Sequence, residues 1–93
     1  MTGRGRRPAL IVSNNDANRF LDPMAMVCPV TSTDRGYPTR VGSDDRTKLN
    51  GFIMCEQMRA FDLSARNAEF AERLPSDIMH EVTNIIYGII EIT

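Results

Sequence analysis

Tryptophan is absent from this chain, histidine occurs once and cysteine twice. These scarcities exclude several chemistries. With His80 as the single histidine, no mechanism that needs two histidines within one subunit is available. Cys28, Cys55 and His80 do not have the spacing of a zinc site. Both cysteines sit in apolar runs and read as reduced core thiols of a cytosolic protein. Asp44 and Asp45 share a loop but lack the pattern of a calcium loop. Neither GxGxxG nor GxxxxGK[ST] occurs, so the two common phosphate-cradling loops are missing. No apolar run approaches the roughly 18 residues of a membrane span. The opening "MTGRGRRPAL" lacks the apolar stretch and cleavage site of a signal peptide. The expectation is a cytoplasmic protein without membrane association, metal or cofactor. Any catalysis falls to arginine, serine, threonine and carboxylates.

What the chain does contain fits one domain, residues 1–93. Hydrophobic residues make up 42% and charged residues 25%, as in ordinary globular proteins. So short a chain buries a limited share of its surface, so its stability is small or shared with a partner. Charge is unevenly spread. Residues 1–50 carry eight Lys/Arg against five Asp/Glu, net +3; residues 51–93 carry three against seven, net −4. The basic half could meet a phosphate backbone, or could be an ordinary solvated surface.

"PALIVS", residues 8–13, reads as a short buried strand. "NNDANRF" follows, with polar residues able to cap one or two helical turns. "MAMVCPVTST", 24–33, is a second strand, and Pro29 within it points to an edge or a bulge. "DRGYPT" is a turn, "TRV" a short return strand, and 42–51 an exposed polar loop. "FIMCEQMRAFD", 52–62, begins as a buried strand and continues as an alternating one. "ARNAEFAERL" reads as a further strand or an irregular segment. From Ser76, apolar residues recur at Ile78, Met79, Val82, Ile85, Ile86, Ile89 and Ile90, one face of a helix. Ser76 can cap that helix, Asp77 suits its first turn, and His80 falls on its polar side. Gly88 implies close packing there. Short strands followed by one amphipathic helix predict a small antiparallel sheet or partial barrel with a helix against it.

"RRP" places two arginines directly before the first strand. An arginine can stabilise the charge on a phosphate as it becomes pentavalent, and a nearby hydroxyl can hold a phosphate oxygen. That pair suits RNA cleavage by the substrate's own 2′-hydroxyl. The arginines could equally protect a sheet edge from aggregation.

In order and spacing, "RRPALIVSNNDANRF", "VCPVTST", "RGYPT", "GFIMCEQMRAFD", "ARNAEF" and "LPSDIMHEV" resemble the MazF/PemK/Kid family of toxins from bacterial toxin–antitoxin modules. The resemblance runs from residue 6 to about residue 90. It implies an α+β, mainly β fold: a small SH3-like antiparallel barrel of the CcdB/Kid/MazF type with a C-terminal amphipathic helix. It implies a homodimer with metal-independent, ribosome-independent endoribonuclease activity on single-stranded RNA. It also implies a cognate antitoxin whose C-terminal tail covers the RNA site. By the same resemblance Arg7 and Thr31 are catalytic, and Arg6, Ser32, Glu56, Gln57 and Arg59 contact RNA. Two departures stand out. Members begin with a "G-D-[IV]" strand and a loop before "RRP", whereas this chain opens at "MTGRG"; Met54 stands where some relatives have arginine. The alternative is a protein of the same fold that binds an antitoxin or another macromolecule without cutting.

Overall fold

The computed structural model describes residues 7–90. Arg6 lies outside the described residues. Five strands and two helices follow in the order β1 (Ala9–Ile11), α1 (Asn15–Leu21), β2 (Met24–Thr31), β3 (Arg40–Gly42), β4 (Phe52–Met54), β5 (Arg59–Asp62) and α2 (Ser76–Ile90). A single 3-10 turn, Cys55–Gln57, separates β4 from β5. The predicted 52–62 strand is therefore two strands with a corner between them.

The sheet is antiparallel and organised around β2. Strand order is β1-β2-β4-β3, and β5 also pairs with β2. On one edge β2 carries β1, with Leu10 opposite Cys28 and Ile11 opposite Val27. On the other edge it carries β5 as far as Val27–Arg59, then β4 from Val30–Ile53. Pro29 lies between those two partners. In the β1–β2 ladder the bonded positions are Val12–Met26 and Val30–Pro8, so the Pro29 nitrogen faces the other edge, where the partner changes. Its missing N–H leaves no ladder bond unmade. Proline thus sits inside the central strand rather than at an edge, at a break in pairing.

Constant register between β1 and β2 separates two faces. Leu10, Val12, Cys28, Val30, Val41 and Ile53 turn toward α2 and pack with Ile78, Val82, Ile85, Ile86 and Cys55. Cys28 and Val82 are fully buried. The opposite face carries Ala25, Val27, Pro29 and Thr31 with their cross-strand partners.

Helix α1 forms as its polar cap residues predict, while α2 begins at Ser76 itself. Asn14 caps α1 by accepting from the Ala17 N–H at 2.8 Å. Arg19 in its last turn pairs with Asp16. In α2, Ile78 and Val82 are buried, but Ile89 and Ile90 are exposed, because the apolar stripe outruns the sheet beneath it. Gly88 is a correction: a Cβ there would meet nothing within 4 Å among the described residues, so no close packing requires it. "ARNAEFAERL" takes the irregular alternative, a turn through 63–67 followed by chain without strand pairing. The 42–51 loop is more ordered than its composition predicts. Thr47 is buried, Glu72 accepts from the Lys48 and Leu49 amides at 3.2 and 3.0 Å, and Arg46 joins Asp44 to Asp77 on α2.

Candidate active site

The face turned away from α2 carries Thr31, Arg40 and Arg59. Thr31 ends β2, opposite Phe52. Ala9 pairs with Pro29, and the Val30 amide donates to the Pro8 carbonyl at 3.1 Å. One further step of that register sets Arg7 across from Thr31, on the same face. Directly opposed positions of this kind have Cβ atoms about 4.5–5.5 Å apart. Pro8 fixes its own φ and restricts Arg7 to extended backbone. Arg7 is exposed at the entry to β1.

The Thr31 hydroxyl oxygen accepts from the Thr33 amide at 3.2 Å, which leaves its hydrogen free to donate. Ser32 lies within that turn and is exposed. Gly51, just before β4, braces Thr31. A Cβ on Gly51 would fall 2.7 Å from Val30 Cγ1 and 2.8 Å from the Thr31 carbonyl oxygen, so only glycine allows this approach. Its backbone is tied to Ser43 on both sides, at 2.9 and 3.0 Å.

Register places Arg40 and Arg59 on the same face. Arg40 is opposite Met54, two residues beyond Thr31's partner Phe52. Arg59 is opposite Val27, about 13 Å along β2 from Thr31 at the usual rise. Its guanidinium lies 6.0 Å from the Phe61 ring centroid. Gln57 is exposed in the 3-10 turn.

Glu56 is engaged rather than free. Thr39 Oγ1 donates to its Oε1 at 2.7 Å. Arg40 donates to its Oε2 through Nε at 3.0 Å and Nη2 at 2.7 Å. Partial desolvation alone would raise the Glu56 pKa, but the Arg40 and Thr39 bonds outweigh it and hold the carboxyl below the usual range. Arg40 in turn stacks 4.6 Å over the Tyr37 ring. Sequence reasoning missed Arg40, Thr39, Tyr37 and Gly51. The signal was the "GYPTR" step itself, read as a turn.

Other groups are ill suited to chemistry. Burial, with Cys55 and Glu56 nearby, pushes the Cys28 thiol up to about 11. Burial, then Glu56, does the same to Cys55. Both are neutral at physiological pH and poor nucleophiles. Among the described residues no cluster of three or more His, Cys, Asp or Glu could hold a metal ion, and no helix is long and apolar enough to cross a membrane.

Known proteins resemble this chain in sequence and in fold. Residues 2–90 match the family described as PemK-like, MazF-like toxin of type II toxin-antitoxin system. The chain is 36% identical over 85 residues to Endoribonuclease PemK of Escherichia coli, covering 85% of this chain and 62% of that protein. It thus spans less than two thirds of that relative's length. Among solved structures, MazE-MazF from Deinococcus radiodurans superposes with a TM-score of 0.88 at 31% identity, covering 100% of this chain and 88% of that one. An endoribonuclease in complex with its cognate antitoxin, from a Mycobacterial species, shares the fold with a TM-score of 0.78 at 22% identity, covering 95% and 84% of the two chains. The mainly antiparallel sheet with its C-terminal helix is the MazF fold, and the chain belongs to the PemK-like, MazF-like toxin family of type II toxin–antitoxin systems.

Proposed function

We propose that this chain is an endoribonuclease toxin that cuts single-stranded RNA at short sequences and so inhibits translation and growth. What supports the reading is the β1–β2 register, which, carried one step beyond the Val30–Pro8 bond, would set Arg7 across from Thr31. A ribose 2′-oxygen attacks the adjacent phosphorus, and the bond to the 5′-oxygen breaks. The 2′-hydroxyl proton is lost and the leaving oxygen is protonated, giving a 2′,3′-cyclic phosphate and a 5′-hydroxyl. Arg7 stabilises the phosphorane charge, where a fixed donor has most effect. Thr31 holds a phosphate oxygen through its free O–H. Arg6, Ser32, Glu56, Gln57 and Arg59 contact the strand on either side. The nucleophile belongs to the substrate, so the route needs no metal. A similar protein is seen with its antitoxin, and a cognate antitoxin covering the RNA face is the corresponding partner here. The functional unit is a homodimer.

Purified protein incubated with long single-stranded RNA in excess EDTA tests this. Cutting with cyclic-phosphate ends is expected. Cutting only after a divalent ion is restored would overturn the metal-free route. A folded protein that never cuts would leave a non-catalytic binder.

A further inference from the structure

Both cysteines of the chain lie in the core, and strand pairing brings them to one place. We propose that Cys28 and Cys55 form a modification site: facing thiols on neighbouring strands that a small peroxide joins as an intramolecular disulfide, tying the middle of β2 to the corner after β4. Neither residue belongs to the proposed RNA site.

The juxtaposition follows from register. β2 and β4 pair with Val30 opposite Ile53 and Thr31 opposite Phe52. Carried to the next pair on the same face as Val30, that register sets Cys55 across from Cys28. The strand path reaches that far, because the Cys55 amide still donates to the Thr39 carbonyl, just before β3, at 3.2 Å. Val30 sends its own amide to Pro8 on the other edge, so Val30 and Ile53 are a non-hydrogen-bonded pair, and Cys28 and Cys55 keep the same phase. Such pairs hold their Cα atoms about 4.5 Å apart, inside the roughly 4.4–6.8 Å that a disulfide spans. Both cysteines belong to the one buried cluster against α2, with Val41, Ile53, Ile78 and Val82, so they share a side of the sheet. After burial itself, Cys55 is the strongest influence raising the Cys28 thiol, ahead of Glu56. The Cys55 thiol donates to the Ile53 carbonyl at 3.9 Å, a long bond from a weak donor, and little is lost with its hydrogen.

Burial sets the order of events. Cys28 is fully buried in the central strand, while Cys55 opens the 3-10 turn whose next two residues, Glu56 and Gln57, are exposed. Local opening of that turn presents Cys55 first. Its thiolate attacks one peroxide oxygen and breaks the O–O bond, giving a sulfenic acid and hydroxide. On reclosure the Cys28 sulfur loses its proton, attacks the sulfenic sulfur and displaces its hydroxyl, which leaves as water. In sum, two thiols and one hydrogen peroxide give one disulfide and two waters. The thiols are poor nucleophiles, so the reaction is slow. Its product is favoured, because a bond between residues this far apart in sequence restricts the unfolded chain.

The test exposes the full, reduced chain to hydrogen peroxide, alkylates remaining thiols in denaturant, and maps the peptides. Melting curves of the oxidised chain are compared before and after dithiothreitol, which reduces a disulfide and leaves methionine sulfoxide untouched. A peptide joining Cys28 to Cys55 is expected, with neither residue alkylated, and dithiothreitol should lower the melting temperature by about 10 °C. Cys28→Ala and Cys55→Ala should each lose that difference. If a variant does not fold, the wild-type peptide map and melting pair decide alone. Both thiols still alkylated after the chain's methionines have oxidised would overturn the inference. So would separate sulfinic acids at the two cysteines, disulfides formed only between chains, or a Cys28–Cys55 bond whose reduction raises the melting temperature.

Discussion

At Gly51 one hydrogen atom separates a working approach from a clash. A methyl group there meets the Thr31 carbonyl oxygen at 2.8 Å, so Gly51→Ala must push back the end of β2. Overpacking of this kind costs about 1–3 kcal/mol, read from the urea midpoint. Displacing a catalytic group by about 1 Å can cost about 10²-fold in rate. Gly51→Ala is therefore expected to slow cutting more than its lost stability explains. Arg7→Ala and Thr31→Ala should each lower kcat by about 10²- to 10³-fold with little effect on RNA binding. Arg6→Ala is the control and should weaken binding modestly, in a salt-dependent way. Equal, small effects of Arg6→Ala and Arg7→Ala would sink the catalytic assignment. Arg7 and Thr31 became candidates from the sequence because each lies inside a short local pattern. Arg40 could not, because its partner Glu56 is reached only after β3 and β4 pair. Nothing in "TRV" announces that bond.

Elements tell a similar story in larger units. The period of α2 and the cap of α1 were legible because both depend on neighbours within one or two turns. The split of 52–62 was not, because the change of partner at Pro29 is a property of three strands together. Two helix substitutions separate what is packed from what is not. Val82 is fully buried, and Val82→Ala should cost about 2 kcal/mol by lost burial and the cavity left. Gly88→Ala meets open space and should stabilise the helix by up to about 1 kcal/mol. The 42–51 loop carries part of the pH dependence. Hydrogen bonds from Arg46 hold the carboxyls of Asp44 and Asp77 below their ordinary 3.8. Their contribution is present above that value and is lost as pH falls through the lowered folded values. Removing Arg46 by Arg46→Ala should make the urea midpoint fall less steeply toward acid pH than it does in the wild type. High salt should shrink the difference, since all three groups are exposed.

For the molecule as a whole, the basic first half and acidic second half suggested a charged surface, yet folding spends part of that asymmetry internally. Arg40 meets Glu56, and Arg46 meets Asp77. Apolar surface is what stays open: Tyr87, Ile89 and Ile90 at the end of α2 are exposed. A homodimer is expected, and light scattering at micromolar concentration should give about twice the mass of one chain; a fully active monomer would refute it. Tyr87→Glu should shift that equilibrium toward monomer if this end is covered in the dimer. The central place of β2 also has a consequence for how the protein is made. β2 takes part in three of the four strand pairs, and two of its partners lie in the second half of the chain. During synthesis Thr31 emerges long before Phe52, and folding proceeds from the N-terminus as the chain lengthens. Until Phe52–Met54 and Arg59–Asp62 have left the ribosome, one edge of β2 is bare and the face that carries Thr31 has no far wall. On the proposed reading, a half-made chain lacks the complete face with which to cut the message still being translated into it.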